Sequence, residues 1–189
     1  MGSYKIIQVM TPLVHAERYI LLLPGEDQIP FVPLMFPVYL SIYLFLPSLL
    51  FIVESRRQVF RIIKVFTVTA FVHFLFFMFL PVEYVLRPAL ANTPDDPMLT
   101  GIRIMYAVDA PFNNFPSMHV SFAFLSYFCI RRYRPNAATA FLVMALLVAL
   151  STVLVKQHYV ADVLSAMILA WVVNQIFLLR RKQSTPLNP

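Results

Sequence analysis

Five apolar runs constrain this chain more than any other feature: residues 31–53, 62–80, 117–130, 137–155 and 159–179. A helix needs roughly 20 mostly apolar residues to cross a bilayer. Four of the runs meet that length, and the third approaches it once its flanks are included. With 60% hydrophobic and 13% charged residues, the 189-residue chain lies far outside the soluble range. Its fifteen Pro residues cluster between the runs, where they end helices without breaking them, against only three Gly. The expected fold class is therefore all-α, a polytopic transmembrane helix bundle of five spans.

The connections sort by charge when these spans are threaded alternately through a membrane. One side collects Arg56, Arg57, Arg61 and Lys64, then Arg131, Arg132 and Arg134, then Arg180, Arg181 and Lys182. The positive-inside rule makes that side cytoplasmic. The opposite side holds Lys5, Arg18, Arg87, Arg103 and Lys156 with every acid except Glu54, and is expected to face the periplasm of a bacterial inner membrane. The net charge of +6 is thus a matter of membrane topology, and no nucleic-acid partner is expected. The single Cys129 lies in an apolar run and supplies neither a disulfide nor a Cys-based metal motif.

Residues 6–23 are apolar but carry His15, Glu17 and Arg18, which would be costly inside a bilayer. An N-terminal interfacial segment over 1–30, with an amphipathic helix on the periplasmic surface, is expected in preference to a sixth span. No cleavable signal peptide is evident, since no clean apolar core precedes a small-residue cleavage site. Residues 24–30 read as a polar turn. The only long connection, 81–116, is expected to be a periplasmic active-site loop. The whole chain, 1–189, reads as a single membrane domain without internal repeats.

Three polar clusters distant in sequence share that face: Arg87-Pro88, the stretch from Asp109 through Asn113 to Ser117 and His119, and the stretch from Ser151-Thr152 through Lys156 to His158 and Asp162. His158 and Asp162 stand four apart, on one helical face, so the carboxylate can orient the imidazole and leave its second nitrogen as nucleophile or base. Alone, the pair could equally be an acid beside an interfacial His. Pro116 suits the first helical position, which would leave the amides of residues 117–119 unpaired at an anion-attracting helix end. Ser117 could add a hydroxyl there or merely cap the helix, and His119 could protonate a leaving group. Arg87 offers a planar fork for a phosphoryl group, or a topological anchor. Lys156 offers a second cation, or a snorkelling side chain. His73, inside an apolar run, reads as a bonded core residue.

Pro116-Ser117-Met118-His119, followed by Ser151-Thr152-x5-His158-x3-Asp162, resembles the second and third signature motifs of the type 2 phosphatidic acid phosphatase (PAP2) superfamily. Asp109, Asn113 and the Ile29-Pro30-Phe31-Val32-Pro33 stretch with Tyr39 resemble its branch of inositol phosphorylceramide synthase-like phosphotransferases. The resemblance implies His158 as nucleophile, Asp162 as its orienting carboxylate and His119 as acid to the leaving group. Ser117 and Arg87 would hold phosphoryl oxygens; beyond what the resemblance implies, Asn113, Thr152 and Lys156 are further candidate phosphate contacts, with Asp109 and Arg103 in support. No cofactor or metal is implied.

Two positions depart from the family pattern: Leu80 stands where a Lys is usual in the first motif, and Thr152 where an Arg usually follows the Ser. The pocket must then use Arg87 with Lys156 or Arg103, or take a less charged diester.

The expected activity is a metal-independent membrane lipid phosphatase acting on a lipid phosphate or polyprenyl diphosphate through phosphohistidine, with membrane lipid as its partner. A phosphotransferase passing a phospho-headgroup to another acceptor is the nearest alternative. Metal chemistry through His119, His158, Asp109 and Asp162 is another. A nonenzymatic transporter or scaffold would favour ionisable residues deep within the spans, whereas here they gather at one boundary.

Overall fold

The computed structural model describes residues 18–93 and 96–179, and they form a helical bundle. Its helices are α1 (Phe36–Leu40), α2 (Ile42–Ile52), α3 (Arg56–Phe79), α4 (Pro97–Val108), α5 (Met118–Tyr133), α6 (Ala138–Leu154) and α7 (Val160–Val173). The last turns beyond α7, Asn174–Leu179, widen to π spacing. Among the described residues, four stretches are long and apolar enough to cross a membrane: Pro33–Ile52, Arg56–Phe79, Pro135–Leu154 and Val160–Leu178. With its 16 residues, α5 is shorter than these.

Local chemistry explains the boundaries. Pro33 opens a short 3-10 turn leading into α1, where a missing N–H is harmless. Before α3, Ser55 and Gln58 form a reciprocal capping box, which starts the helix six residues ahead of the apolar run beginning at 62. Arg56, Arg57, Arg61 and Lys64 consequently ride on the helix rather than in a loop. Hydrophobicity alone does not register such a cap.

The expected long loop contains a helix of its own. Asp96 caps α4, accepting from the amides of Met98 at 2.9 Å and Leu99 at 3.0 Å, and Pro97 takes the first position. Ile102, wholly buried, packs α4 into a cluster with Phe36, Tyr39, Leu90 and Val155. Gly101 lets α4 approach α1, because a Cβ there would sit 2.4 Å from Phe36 Cε1. Gly101→Val is expected to lower stability by about 1–3 kcal/mol through overpacking, measured as thermal unfolding in detergent micelles.

α5 is the central helix, packed against α2, α3, α6 and α7. Small residues at full burial, among them Ala123, Ser121 and Ser126 on α5, Ala145 on α6 and Ala166 and Ala170 on α7, let the backbones approach closely. Ser121 Oγ donates to the Ala166 carbonyl at 3.1 Å, joining α5 to α7. Large apolar side chains such as Leu44, Phe51, Phe60, Phe71, Phe79 and Ile168 point outward. An apolar exterior around a core of small residues suits a lipid solvent.

One end of the bundle carries the basic loops, where Arg134 pairs with Glu54. The opposite end carries residues 18–32, the 81–116 connection and the α6–α7 loop. The interfacial helix expected over residues 6–23 falls mostly outside the described residues; positions 18–23 are extended, not helical. Tyr19 bridges Val82 in parallel, and Arg18 pairs with Glu83 at 3.1 Å while lying over the Phe112 ring. Backbone pairing at Tyr19 and an ion pair at Arg18 outweigh amphipathic propensity at the start of this stretch.

Candidate active site

The α6–α7 loop and the first turn of α7 hold the most connected part of the site. The Thr152 carbonyl accepts from the amides of Gln157 at 3.0 Å and His158 at 3.3 Å, folding the loop back on the end of α6. Lys156 completes that reversal in a left-handed conformation, φ 53°. His158 Nδ1 then lies 3.3 Å from Asp162 Oδ2, which also accepts from the Tyr159 amide at 2.9 Å. Asp162 is fully buried, and its Oδ1 has no hydrogen-bond partner among the described residues. A carboxylate at Nδ1 favours the tautomer that donates from that nitrogen, which leaves Nε2 to face away from Asp162.

α5 delivers the second imidazole. The helix begins at Met118 with Ser117 as its cap, so Pro116 precedes the cap and does not occupy the first helical position. The reason is visible in the bonds: Ser117 Oγ accepts from the Val120 amide at 3.4 Å, while the Ser117 amide donates to the Asp162 carbonyl at 3.1 Å. That second bond ties the start of α5 to the start of α7. The amides of Met118 and His119, in the first turn, have no intrahelical acceptor.

The His119 and His158 rings lie 6.4 Å apart between centroids, tilted by 55°. His119 stacks on Tyr39 at 4.5 Å, and the Tyr43 hydroxyl reaches its Nε2 at 3.5 Å.

Arg87 sits over the Tyr106 ring at 4.5 Å and donates to the Asp109 carbonyl at 2.8 Å and to Gln157 Oε1. A cation at the C-terminus of α4 complements the helix dipole. Through Gln157, Arg87 is joined to the residue next to His158. The Tyr106 hydroxyl donates to the Val155 carbonyl at 2.7 Å, and burial pushes its phenol above the ordinary range, with Arg87 opposing. Arg103 shares the α4 face of Tyr106, one turn earlier. Asn113 is buried at φ 63° in the turn between α4 and α5, a conformation Asn tolerates.

Other expected site residues are engaged elsewhere. The Thr152 hydroxyl donates to the Ala149 carbonyl at 2.7 Å, within its own helix. Lys156 Nζ donates to the Ile29 carbonyl at 2.6 Å. Burial lowers its pKa, and the nearby carboxylates of Glu26 and Asp27 oppose that shift. Leu80 packs against a cluster of Val82, Tyr84 and Tyr159, so apolar contacts fill the neighbourhood of that departure. His73 Nδ1 donates to the Thr69 carbonyl, 2.8 Å away inside α3, as expected of a bonded core residue. Among the described residues, no three His, Cys, Asp or Glu side chains group as a metal-ligand set.

Reading the sequence missed Gln157, Tyr43 and Tyr106 as site residues. Gln157 adjoins His158, which was a usable signal. Nothing separates Tyr43 from other aromatics of an apolar span until tertiary packing brings it to His119. The match of the PAP2 superfamily family model covers residues 65–185, from inside α3 past the end of α7. The chain belongs to the PAP2 superfamily. Members are generally phosphatases or phosphotransferases. Neither a curated protein nor a solved structure matches the chain. Within this PAP2 protein, Arg87, Ser117, His119, His158 and Asp162 all fall in the matched stretch, whereas Glu26, Tyr39 and Tyr43 precede it.

Proposed function

We propose that this PAP2 protein is a metal-independent lipid phosphatase, cleaving a lipid phosphate or polyprenyl diphosphate through phosphohistidine. The observation that carries the reading is the His158 Nδ1 contact with buried Asp162 Oδ2 at 3.3 Å, with a second imidazole, His119, 6.4 Å away between ring centroids. His158 Nε2 attacks phosphorus, the bond from phosphorus to the lipid oxygen breaks, and His119 gives that oxygen its proton. Water then surrenders a proton to His119 and attacks phosphorus, the P–N bond breaks, and phosphate leaves. Both steps need nucleophile and phosphorus within roughly 3–3.5 Å and in line.

Arg87, Ser117 and Asn113 are assigned to the phosphate-holding side, with Lys156 adding positive field at its rim and Asp109 and Arg103 as outer supports, while Thr152 lies at the end of α6 with its hydroxyl bonded to the Ala149 carbonyl. The site faces the periplasm of a bacterial inner membrane in the charge-sorted topology, as five spans in a single domain over 1–189.

Headgroup transfer is a second reading, in which an alcohol replaces water. It is favoured by the apolar packing of Leu80 and the internal bond of the Thr152 hydroxyl, which suit a singly charged diester better than a doubly charged monoester. Purified protein with EDTA and a panel of lipid phosphates and phosphodiesters tests both. Free phosphate is the expected product. Transfer without free phosphate would select the second reading, and EDTA-sensitive activity restored by metal would overturn the metal-independent mechanism.

A further inference from the structure

Glu26 lies outside the stretch matched to the family, yet it reaches the start of the helix that bears Asp162, two residues after His158. Its carboxyl is buried at 4% exposure. Oε1 accepts from the Val160 amide, the first residue of α7, and Oε2 accepts from the Leu23 amide at 3.0 Å. An acidic side chain satisfying a first-turn amide is a helix cap, here supplied from a segment 134 residues away. Tyr159, at the usual capping position, has no carboxylate of its own to offer.

Two further bonds cross the same seam. The Val32 amide donates to the Leu154 carbonyl at 2.9 Å, and Lys156 Nζ donates to the Ile29 carbonyl at 2.6 Å. The turn that presents Glu26 depends on Gly25, whose φ of 80° disfavours other residues. The α6–α7 loop is therefore gripped at its start, at Lys156 and at the first residue of α7.

We propose that Glu26 is a positioning residue: by capping α7 from the N-terminal turn, it holds His158 and Asp162 in the geometry needed for attack. The inference rests on His158 being the nucleophile. Asp162 Oδ2 divides its bonding between His158 and the Tyr159 amide, so a half-turn of fraying at Val160 displaces the carboxylate from the imidazole. Glu26 removes that freedom without touching substrate.

The test compares wild type with Glu26→Ala, Glu26→Gln and Arg18→Ala in detergent micelles, reading kcat and KM on a lipid phosphate and amide hydrogen exchange over residues 158–163. Loss of a cap corresponds to about a tenfold change. Glu26→Ala is expected to lower kcat about tenfold with KM unchanged, and to speed exchange by a similar factor. Glu26→Gln keeps an acceptor for Val160 and loses the charge, so both effects should shrink to about threefold.

Arg18→Ala breaks a different anchor of the same segment, the Glu83 pair, and should leave kcat and exchange at wild-type values. Exchange at wild-type rates in both Glu26 variants would overturn the proposal, as would an equal loss in Arg18→Ala. If wild type turns over none of the lipids, the phosphatase reading fails, and the exchange measurement still decides whether Glu26 caps α7. Should Glu26→Ala not fold, Glu26→Gln carries the comparison.

Discussion

His158→Ala is expected to reduce lipid phosphate turnover by roughly 10⁴-fold or more, with thermal unfolding near that of wild type. The side chain is small and sits at the membrane-boundary end, and helix α7 keeps both of its caps, Asp162 on the Tyr159 amide and Glu26 on the Val160 amide. Structure should therefore survive while chemistry stops. A substrate labelled in its phosphoryl group adds a second readout. Wild type quenched during turnover should carry acid-labile, base-stable label, as a phosphoramidate does, and the variant none. Turnover persisting in His158→Ala would remove the nucleophile from this mechanism.

The second large effect belongs to His119. Stacked on Tyr39 and reached by the Tyr43 hydroxyl at 3.5 Å, its ring is held beside the gap that separates it from His158. General acid catalysis of this kind contributes about 10²–10⁴-fold. His119→Ala should lose about that much on an alkyl lipid phosphate, whose alkoxide needs a proton. On an aryl phosphate with an acidic leaving group the loss should fall to about tenfold or less. Parallel assays of the two substrates decide the matter. Equal losses on both would assign His119 to binding or packing, not to proton transfer.

Both histidines are legible in the linear chain because their spacing carries meaning. Four residues separate His158 from Asp162, but His158 stands in the loop two residues ahead of α7, not on its face. The pair meets because the Asp162 carboxylate turns back over the helix start to the imidazole and the Tyr159 amide. Pro, Ser and His at 116, 117 and 119 mark the beginning of a helix, although Ser117 proves to be the cap and Pro116 lies ahead of it. Apolar runs likewise locate the long helices, missing chiefly the six residues that the Ser55-Gln58 capping box adds to α3.

Other features are hidden for identifiable reasons. α4 is short and interrupted by Arg103, so hydrophobicity averaged over a span-length window overlooks it, though Asp96-Pro97 is a helix-start signal. Residues 18–23 carry an apolar pattern compatible with an interfacial helix, but Tyr19 bonds through its backbone to Pro81 and Glu83 and no helix forms there. Lys156 and Thr152 read as phosphate contacts by motif, yet their side chains make bonds to the Ile29 and Ala149 carbonyls that no linear spacing encodes.

Sequence alone determined which segments are apolar enough for a membrane, where their ends lie to within a few residues, and that two histidines and an aspartate occur at motif spacing. Such properties depend on neighbours three or four positions apart and on the free energy of apolar transfer, both additive along a chain. Tertiary structure decided which carbonyl Lys156 meets, which aromatic ring holds His119, and which carboxylate caps α7. Those outcomes depend on contacts separated by 76 residues for Tyr43 and His119, and by 134 for Glu26 and Val160. Packing of the whole bundle brings such pairs within a few ångströms, and no local pattern encodes that distance.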